Sequence, residues 1–203
     1  MLGREVGAKP TEKRADARKN IAAIIEAATT CLALDPDVSV NEIAKAAGVG
    51  RVTLYGHFES RADLVSVVVD HAMQQTNREL ESLDLAGDPR ASLSRLVEAT
   101  WRLTHRYGAL IIAAEQTLPP ERVHEAHTQL IARWRRLLKR GRREGVFRAD
   151  MPLAWQVIAI HAVIHGASEA VHRSELAPAQ VPALLRDTVL AALTPPRSTS
   201  PSA

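Results

Sequence analysis

His161, His165, Glu169 and His172 are spaced so that a helix, at about 100° per residue, gathers them within roughly 80° of arc. Two imidazoles four residues apart have the spacing to share a metal ion. The run His161-Ala162-Val163-Ile164-His165 lacks the glutamate that a zinc protease sets after its first histidine, and Cys31 is the sole cysteine. Neither a hydrolytic zinc site nor a cysteine-based cluster is supplied, and the histidine face is read as lining a pocket or packing in a dimer. Cys31 itself reads as a small core residue. With no convergent nucleophile, base or metal set in the chain, neither catalysis nor a cofactor is expected.

A different chemistry lies at residues 51–58. Leu54 and Phe58 are four apart and face inward with Ile43 and the small Ala44, so the opposite face of their helix presents Val52 and Gly56, flanked by Thr53 and Tyr55. An exposed valine gains nothing in water, and a glycine within a helix costs about 1 kcal/mol relative to alanine. Both make sense against the floor of a DNA major groove, where a missing side chain permits close approach and a valine methyl meets a thymine methyl. A surface that merely tolerates the two residues is the alternative.

Such a face needs elements to aim it. After a polar start, Ile21, Ile24, Ile25, Ala28, Cys31 and Leu32 follow a helical repeat, and Asp35 before Pro36 should stop that helix near Leu34. Ser39-Val40-Asn41-Glu42 is a capping box that opens a second helix, which ends near Ala47. Gly48 then supplies the turn, and a third helix runs from Gly50 or Arg51 to about Phe58. Two short helices joined by a glycine turn and packed on a preceding helix make a helix-turn-helix. Ser60 to Asp63 starts a fourth helix reaching about Glu81, and residues 82–88 are the best boundary in the chain.

Further helices are expected over 88–107 and 110–117, then a long one from Pro120 to a cap at Gly145, then 152–173 and 182–193. With no convincing strand, the fold class is all-α. The expected organisation is a flexible basic arm (1–15), a helix-turn-helix domain (16–60), a connecting helix (61–81), a helical ligand-binding and dimerisation domain (82–194) and a disordered tail (195–203).

Composition agrees with a globular helical chain: 203 residues, 46% hydrophobic, 24% charged and 3% aromatic. The longest mostly apolar stretch, 155–167, is too short for a bilayer, and no apolar signal-peptide core follows the first basic residues. A cytoplasmic protein without membrane attachment is expected. The net charge of +3 hints at a polyanion, but residues 1–63 hold nine Lys or Arg against nine Asp or Glu, so bulk charge does not identify a DNA-binding domain. Residues 121–148 hold nine basic and three acidic side chains, an excess read as a solvated helix end that favours the macrodipole.

The stretch from Ile43 to Leu64, with Gly48-Val49, Thr53-Leu54-Tyr55 and His57-Phe58 at this spacing, strongly resembles the N-terminal domain of TetR-family transcriptional regulators. The resemblance covers about 14–73. It implies that Thr53, Tyr55 and His57 hold the DNA backbone, and it places Arg61 where the family usually has lysine. Gly50 departs from the pattern, which often has serine there, so a hydroxyl contact is missing. Ser39 and Lys45 sit where phosphate contacts are plausible, against plain capping and a solvated charge. Arg51, Val52 and Gly56 are the base-facing candidates, although Arg51 is equally placed for a phosphate. Lys13, Arg14, Arg18 and Lys19 either strengthen binding to phosphates or the minor groove or are simply solvated.

For the second domain the family implies ligand binding and dimerisation. Trp101, His105, Glu115, Trp134, His161 and His165 are the candidate pocket residues, with a core tryptophan and a surface glutamate as the plainer readings. The resulting expectation is a homodimeric repressor on palindromic double-stranded DNA, released by a small, largely apolar effector. The competing reading is a helical adaptor without DNA binding, which would leave Val52, Gly56 and the Thr53–Phe58 string unexplained.

Overall fold

A residue ahead of proline is driven out of helical geometry, and the first helix, α1 (Pro10–Leu34), stops just before Asp35-Pro36. The computed structural model describes residues 10–195, with side chains from 16 onward, and no strand occurs among them. After α1 come α2 (Val40–Ala46), α3 (Arg51–Tyr55), α4 (Arg61–Glu81), α5 (Pro89–Arg106) and α6 (Gly108–Thr117). They are followed by α7 (Pro120–Ala126), α8 (Thr128–Arg143), α9 (Leu153–His172) and α10 (Val181–Leu193). No helix is long and apolar enough to cross a membrane among the described residues.

The helices differ from expectation at several points. Helix α1 begins at Pro10, within the stretch expected to be a flexible arm. The arm before Pro10, the side chains of Lys13 and Arg14, and the tail after Pro195 lie outside the described residues. The single long helix expected from Pro120 is two. His127, at φ −87° and ψ −2°, is the break, where its N–H turns back to His124 O at 3.1 Å. Helix α7 has no buried residue, so no apolar face holds it in line with α8. Cys31 is only half-buried, because Leu32 and Ala28 take the inward positions of α1.

The chain divides into two compact units. The first takes the described residues up to Ala72 together with Ala109–Val123, and the second takes Met73–Gly108 and the residues from His124 on. In the first, Ile24, Leu32, Ile43, Leu54 and Phe58 are all buried, so α1 backs the pair α2 and α3. Burying such side chains contributes about 1.5–3 kcal/mol each, enough to fix these short helices that could not persist alone.

In the second unit α5 packs against α8, α9 and α10, α8 also meets α9, and α9 meets α10. Asp88 caps α5 by accepting from Arg90 N at 3.1 Å and Ala91 N at 3.2 Å, with Pro89 in the first turn where its missing N–H costs nothing. The end of α8 is tied to the start of α9: the Arg142 guanidinium donates to Gln156 Oε1 at 3.1 Å and to Met151 O, and buried Gln156 donates to Arg148 O at 3.0 Å.

Candidate nucleic-acid interface

The outward face of α3 is held from both sides by local hydrogen bonds. At the start of α2, Ser39 Oγ accepts from Glu42 N at 3.3 Å and Ser39 N donates to Glu42 Oε2 at 2.9 Å, the reciprocal capping box the residues predict. The Ser39 hydroxyl, followed by its backbone N–H, holds the Glu42 carboxyl below the usual carboxylate range. At the end of α2, Gly48 N donates to Lys45 O at 3.1 Å and Val49 N to Ala44 O at 3.0 Å. This is a Schellman closure, and it needs the left-handed φ of +69° that Gly48 adopts.

Gly50 opens α3 with no side-chain cap, consistent with the missing hydroxyl at this corner. Helix α3 ends at Tyr55, short of the expected Phe58, yet the bonds run on from Gly56 N to Val52 O at 2.9 Å and from Phe58 N to Leu54 O at 3.0 Å. Gly56 is therefore the C-cap rather than an interior helical residue, with an ordinary φ of −72°. The helix-interior cost assigned to it falls away. What remains is the absence of a side chain on an exposed face.

Leu54 and Phe58 point inward as predicted, and Arg51, Val52, Thr53, Tyr55 and Gly56 are exposed. Val52 is 87% exposed, the most exposed of the large apolar side chains described, and Tyr55 is 40% exposed. The Arg51 guanidinium lies 5.4 Å from the centre of the Tyr55 ring, a cation–π contact one helical turn long. His57 is half-buried, while Ser39 and Lys45 are exposed. Arg18 and Lys19 are exposed on α1.

Arg61, placed by the resemblance among the DNA-binding residues, also makes bonds within the chain. Its guanidinium donates to Pro36 O at 2.6 Å and to Val38 O, clasping the loop before α2 to the start of α4. Those carbonyls lie in a proline-containing loop that forms no regular ladder, and the arginine satisfies them. The residue positions the helix-turn-helix by fixing its entry loop.

The candidate ligand residues do not form one group. Trp101 and Trp134 are buried in the second unit, where Trp101 stacks on exposed His105 at 5.2 Å between ring centres. His161 and His165 stack at 6.4 Å, and both are half-buried. Burial, with lesser contributions from His165 and then His127, pushes His161 down to about 4. Glu115 is exposed on α6 and belongs to the first unit, so it breaks no apolar wall. Its reading as a pocket acid followed from the apolar run around it, whose inward positions are Leu110, Ala113 and Ala114.

Of three buried polar groups in the second unit, sequence reasoning named Trp134 and His161 and missed Thr100. Thr100 Oγ1 on α5, Trp134 Nε1 on α8 and His161 Nε2 on α9 are shielded from solvent and have no hydrogen-bond partner among the described residues. Buried polar groups are nearly always paired, so these three helices present donors and acceptors with nothing yet to meet them.

Residues 24–68, from α1 into α4, match the family model described as bacterial regulatory proteins, tetR family. The chain is 29% identical over 162 residues to the HTH-type transcriptional regulator NfxB of Pseudomonas aeruginosa, covering 76% of this chain and 83% of that protein. It is 37% identical over 78 residues to the HTH-type transcriptional repressor LfrR of Mycolicibacterium smegmatis, covering 38% of this chain and 41% of that one. The solved structure of LfrR from Mycobacterium smegmatis in complex with proflavine matches with a TM-score of 0.69 at 23% identity, over 87% of this chain and 97% of that chain. FadR from Bacillus subtilis, solved in complex with stearoyl-CoA, matches with a TM-score of 0.69 at 20% identity, over 86% and 97%. These likenesses carry the all-helical fold across both units, and the relatives are regulators rather than enzymes. With the capped turn and the outward face of α3 in the matched segment, residues 24–68 carry the N-terminal domain of the tetR family of bacterial regulatory proteins.

Proposed function

We propose that the chain is a homodimeric repressor that binds a palindromic operator through α3 and leaves it when a small, largely apolar molecule occupies the second unit. The observation that carries the reading is the face of α3, where an exposed valine, a glycine and a ring of hydrogen-bonding side chains stand on a turn fixed by capping. Val52, Gly56 and Arg51 face the bases, with Arg51 able to donate a bidentate pair to guanine or to hold a phosphate. Thr53, Tyr55, His57, Lys45 and Ser39 hold the DNA backbone, while Arg61 keeps the entry loop in register.

Pairing of two copies is supported by the exposed apolar side chains of α9 and α10. Trp155 is 54% exposed and Ile158 57%, and Val163 and Leu184 join them. An apolar patch of this kind on a soluble regulator marks an interaction surface, and a two-fold protein matches a two-fold operator. The effector is supported by the buried Thr100, Trp134 and His161 atoms without hydrogen-bond partners among the described residues, a few polar points among the mostly apolar buried side chains of α5, α8 and α9. The solved relatives hold proflavine and stearoyl-CoA, both with large apolar parts. An effector acts only if it favours one arrangement of the protein over another. A repressor of this kind works in the cytoplasm, where its operator is.

Selection of bound DNA from a random pool tests the reading. Wild type is expected to enrich a palindrome. Tyr55→Phe and Thr53→Ala are expected to enrich the same palindrome with several-fold weaker affinity, because backbone contacts position without reading bases. No enriched sequence, or wild-type affinity in both variants, would leave the adaptor reading in its place.

A further inference from the structure

The basic run of α8 does more than end a helix. Arg133, Arg136, Leu137, Lys139, Arg140 and Arg143 line one side of a groove of about 570 Å³, and Leu80, Glu81, Leu83 and Leu85 line the other. The volume is that of a small-molecule site. Its floor is apolar, with Leu80 and Leu137 buried and Leu83 and Leu85 half-buried. Five cationic side chains face a single carboxylate, Glu81, across it.

A solvated helix end would leave these arginines in water, and Arg136, Lys139 and Arg143 are indeed exposed. Arg133 is not. It is 8% exposed, and its Nη1 is buried with no hydrogen-bond partner among the described residues. A guanidinium removed from water is costly unless it is paired and hydrogen-bonded. Burial accordingly pushes Arg133 below its ordinary value, while Glu81 acts in the opposite sense and Arg136 adds to the shift. Arg140, the neighbour one turn beyond Arg136, also has a buried Nε without a hydrogen bond, 3.8 Å from Glu144, while its Nη2 donates to Ser92 Oγ at 3.1 Å. Two residues that line the groove thus carry buried guanidinium N–H groups without hydrogen-bond acceptors among the described residues, Arg133 Nη1 and Arg140 Nε, the latter in an ion pair with Glu144.

We infer that this groove binds an amphiphilic organic anion, whose carboxylate or phosphate head accepts from Arg133 and is surrounded by Arg136, Lys139 and Arg140, while its apolar body lies on Leu80, Leu83, Leu85 and Leu137. The stripe from Arg133 to Arg143 is about 15 Å long at 1.5 Å per residue, so the ligand is elongated rather than compact. A planar guanidinium fork suits a two-oxygen head, and the desolvated position of Arg133 strengthens each bond it makes. The site lies wholly within the second unit and uses none of the residues assigned to DNA, so DNA selection and anion binding fail or succeed separately.

Titration calorimetry of the full chain with dodecyl phosphate, dodecanoate, dodecanol and inorganic phosphate tests the assignment. The two amphiphilic anions are expected to bind at one site per chain, and the uncharged alcohol and bare phosphate at least about tenfold more weakly. The ratio of the two anions tells a phosphate-selective head site from a carboxylate one. The double variant Arg136→Ala with Lys139→Ala changes only exposed positions and is expected to weaken both anions about tenfold. Arg133→Met is expected to abolish binding and raise the melting temperature, since an unpaired buried charge is replaced by an apolar side chain. Undiminished binding in the double variant, equal binding of dodecanol, absence of anion binding, or a lowered melting temperature in Arg133→Met would each overturn the proposal.

Discussion

Around the α2–α3 turn the polar groups meet partners close at hand: Ser39 meets Glu42, Gly48 meets Lys45, Val49 meets Ala44, and Arg61 takes the carbonyls of Pro36 and Val38. What is left outside is an apolar side chain, Val52. Among α5, α8 and α9 the arrangement is reversed. Leu93, Leu138 and Ile164 fill the interior, and the groups left there without hydrogen-bond partners include Thr100 Oγ1, Trp134 Nε1 and His161 Nε2. A site for a rigid macromolecular partner is best finished in advance, with its recognition groups outermost, since preorganisation reduces the ordering cost of binding. A site for an enclosed molecule leaves its unmet hydrogen bonds indoors. The two units differ in where their unsatisfied chemistry sits, and that difference separates an outward reader from an inward receptor.

The sharpest way to break the contrast is to cut into the apolar support of the first unit and the polar interior of the second. Leu54→Ala is expected to destabilise the first unit by about 3 kcal/mol, because it removes a fully buried side chain and leaves a cavity that α2 and α3 are too short to close. DNA affinity should fall with it. Thr100→Val, which deletes an unpartnered hydroxyl while keeping the shape, is expected to be neutral or stabilising. Urea unfolding of both variants checks the pair. A Thr100→Val variant as damaged as Leu54→Ala would mean that the hydroxyl is satisfied in the fold and the inward site is not incomplete.

How much of this was readable in the residues follows from the range of each interaction. Capping box, glycine turn and the inward pair Leu54 and Phe58 are set within a few positions of one another, so the helix-turn-helix and the outward Val52 were legible almost in full. Arg61 was not, since its carbonyl partners lie 25 and 23 residues earlier and nothing local marks them. The break at His127 was hidden because helix propensity continues through it, and only the lack of a buried face on α7 reveals why it occurs. Arg133 was invisible for the opposite reason: amid other cations it read as solvated, and its burial depends on the far side of a groove built by residues 80–85. Glu115 lies on the surface, the plainer of its two readings, because an apolar run implies an inward helix without saying which turn carries the polar residue outward.

A smaller effect sharpens the contrast through pH. His161 titrates near 4 in the folded chain against an ordinary value of 6.5, so the unfolded chain takes up its proton first as the solution is acidified. The stability that His161 contributes in its neutral form is complete above pH 6.5 and is lost as pH falls from 6.5 to about 4. The loss is about 2 kcal/mol once partial exposure of the ring is discounted. It belongs to the second unit alone. Unfolding of wild type and His161→Phe at pH 7.5 and 4.5 isolates it from the carboxylates that titrate in both proteins, and the variant is expected to lose less stability between the two conditions. Equal losses would show that the imidazole is free to take its proton in the fold, with access to water rather than enclosure.

The smallest expected effect concerns how each unit closes its helices. Helices α2 and α8 end in the same two-bond closure, and each uses a glycine at left-handed φ: Gly48 at +69° and Gly145 at +69°, the latter with Gly145 N to Arg142 O at 3.1 Å and Val146 N to Gly141 O at 2.9 Å. Helix α9 ends in that closure too, with Ser174 N to Val171 O at 3.0 Å and Glu175 N to Ala170 O at 2.8 Å, but the residue at φ +59° is Ser174. A side chain in this region costs about 1 kcal/mol, which glycine avoids at the expense of a more mobile unfolded chain. Ser174→Gly is therefore expected to stabilise the second unit by about 0.5 kcal/mol, whereas Gly48→Ser should destabilise the first by about 1 kcal/mol. Opposite substitutions at equivalent corners thus have opposite signs, measurable as shifts in urea midpoint at unchanged slope. If Ser174→Gly lowers the midpoint, the serine hydroxyl makes a compensating bond at the end of α9, and that end of the second unit is as fully satisfied as the turn between α2 and α3.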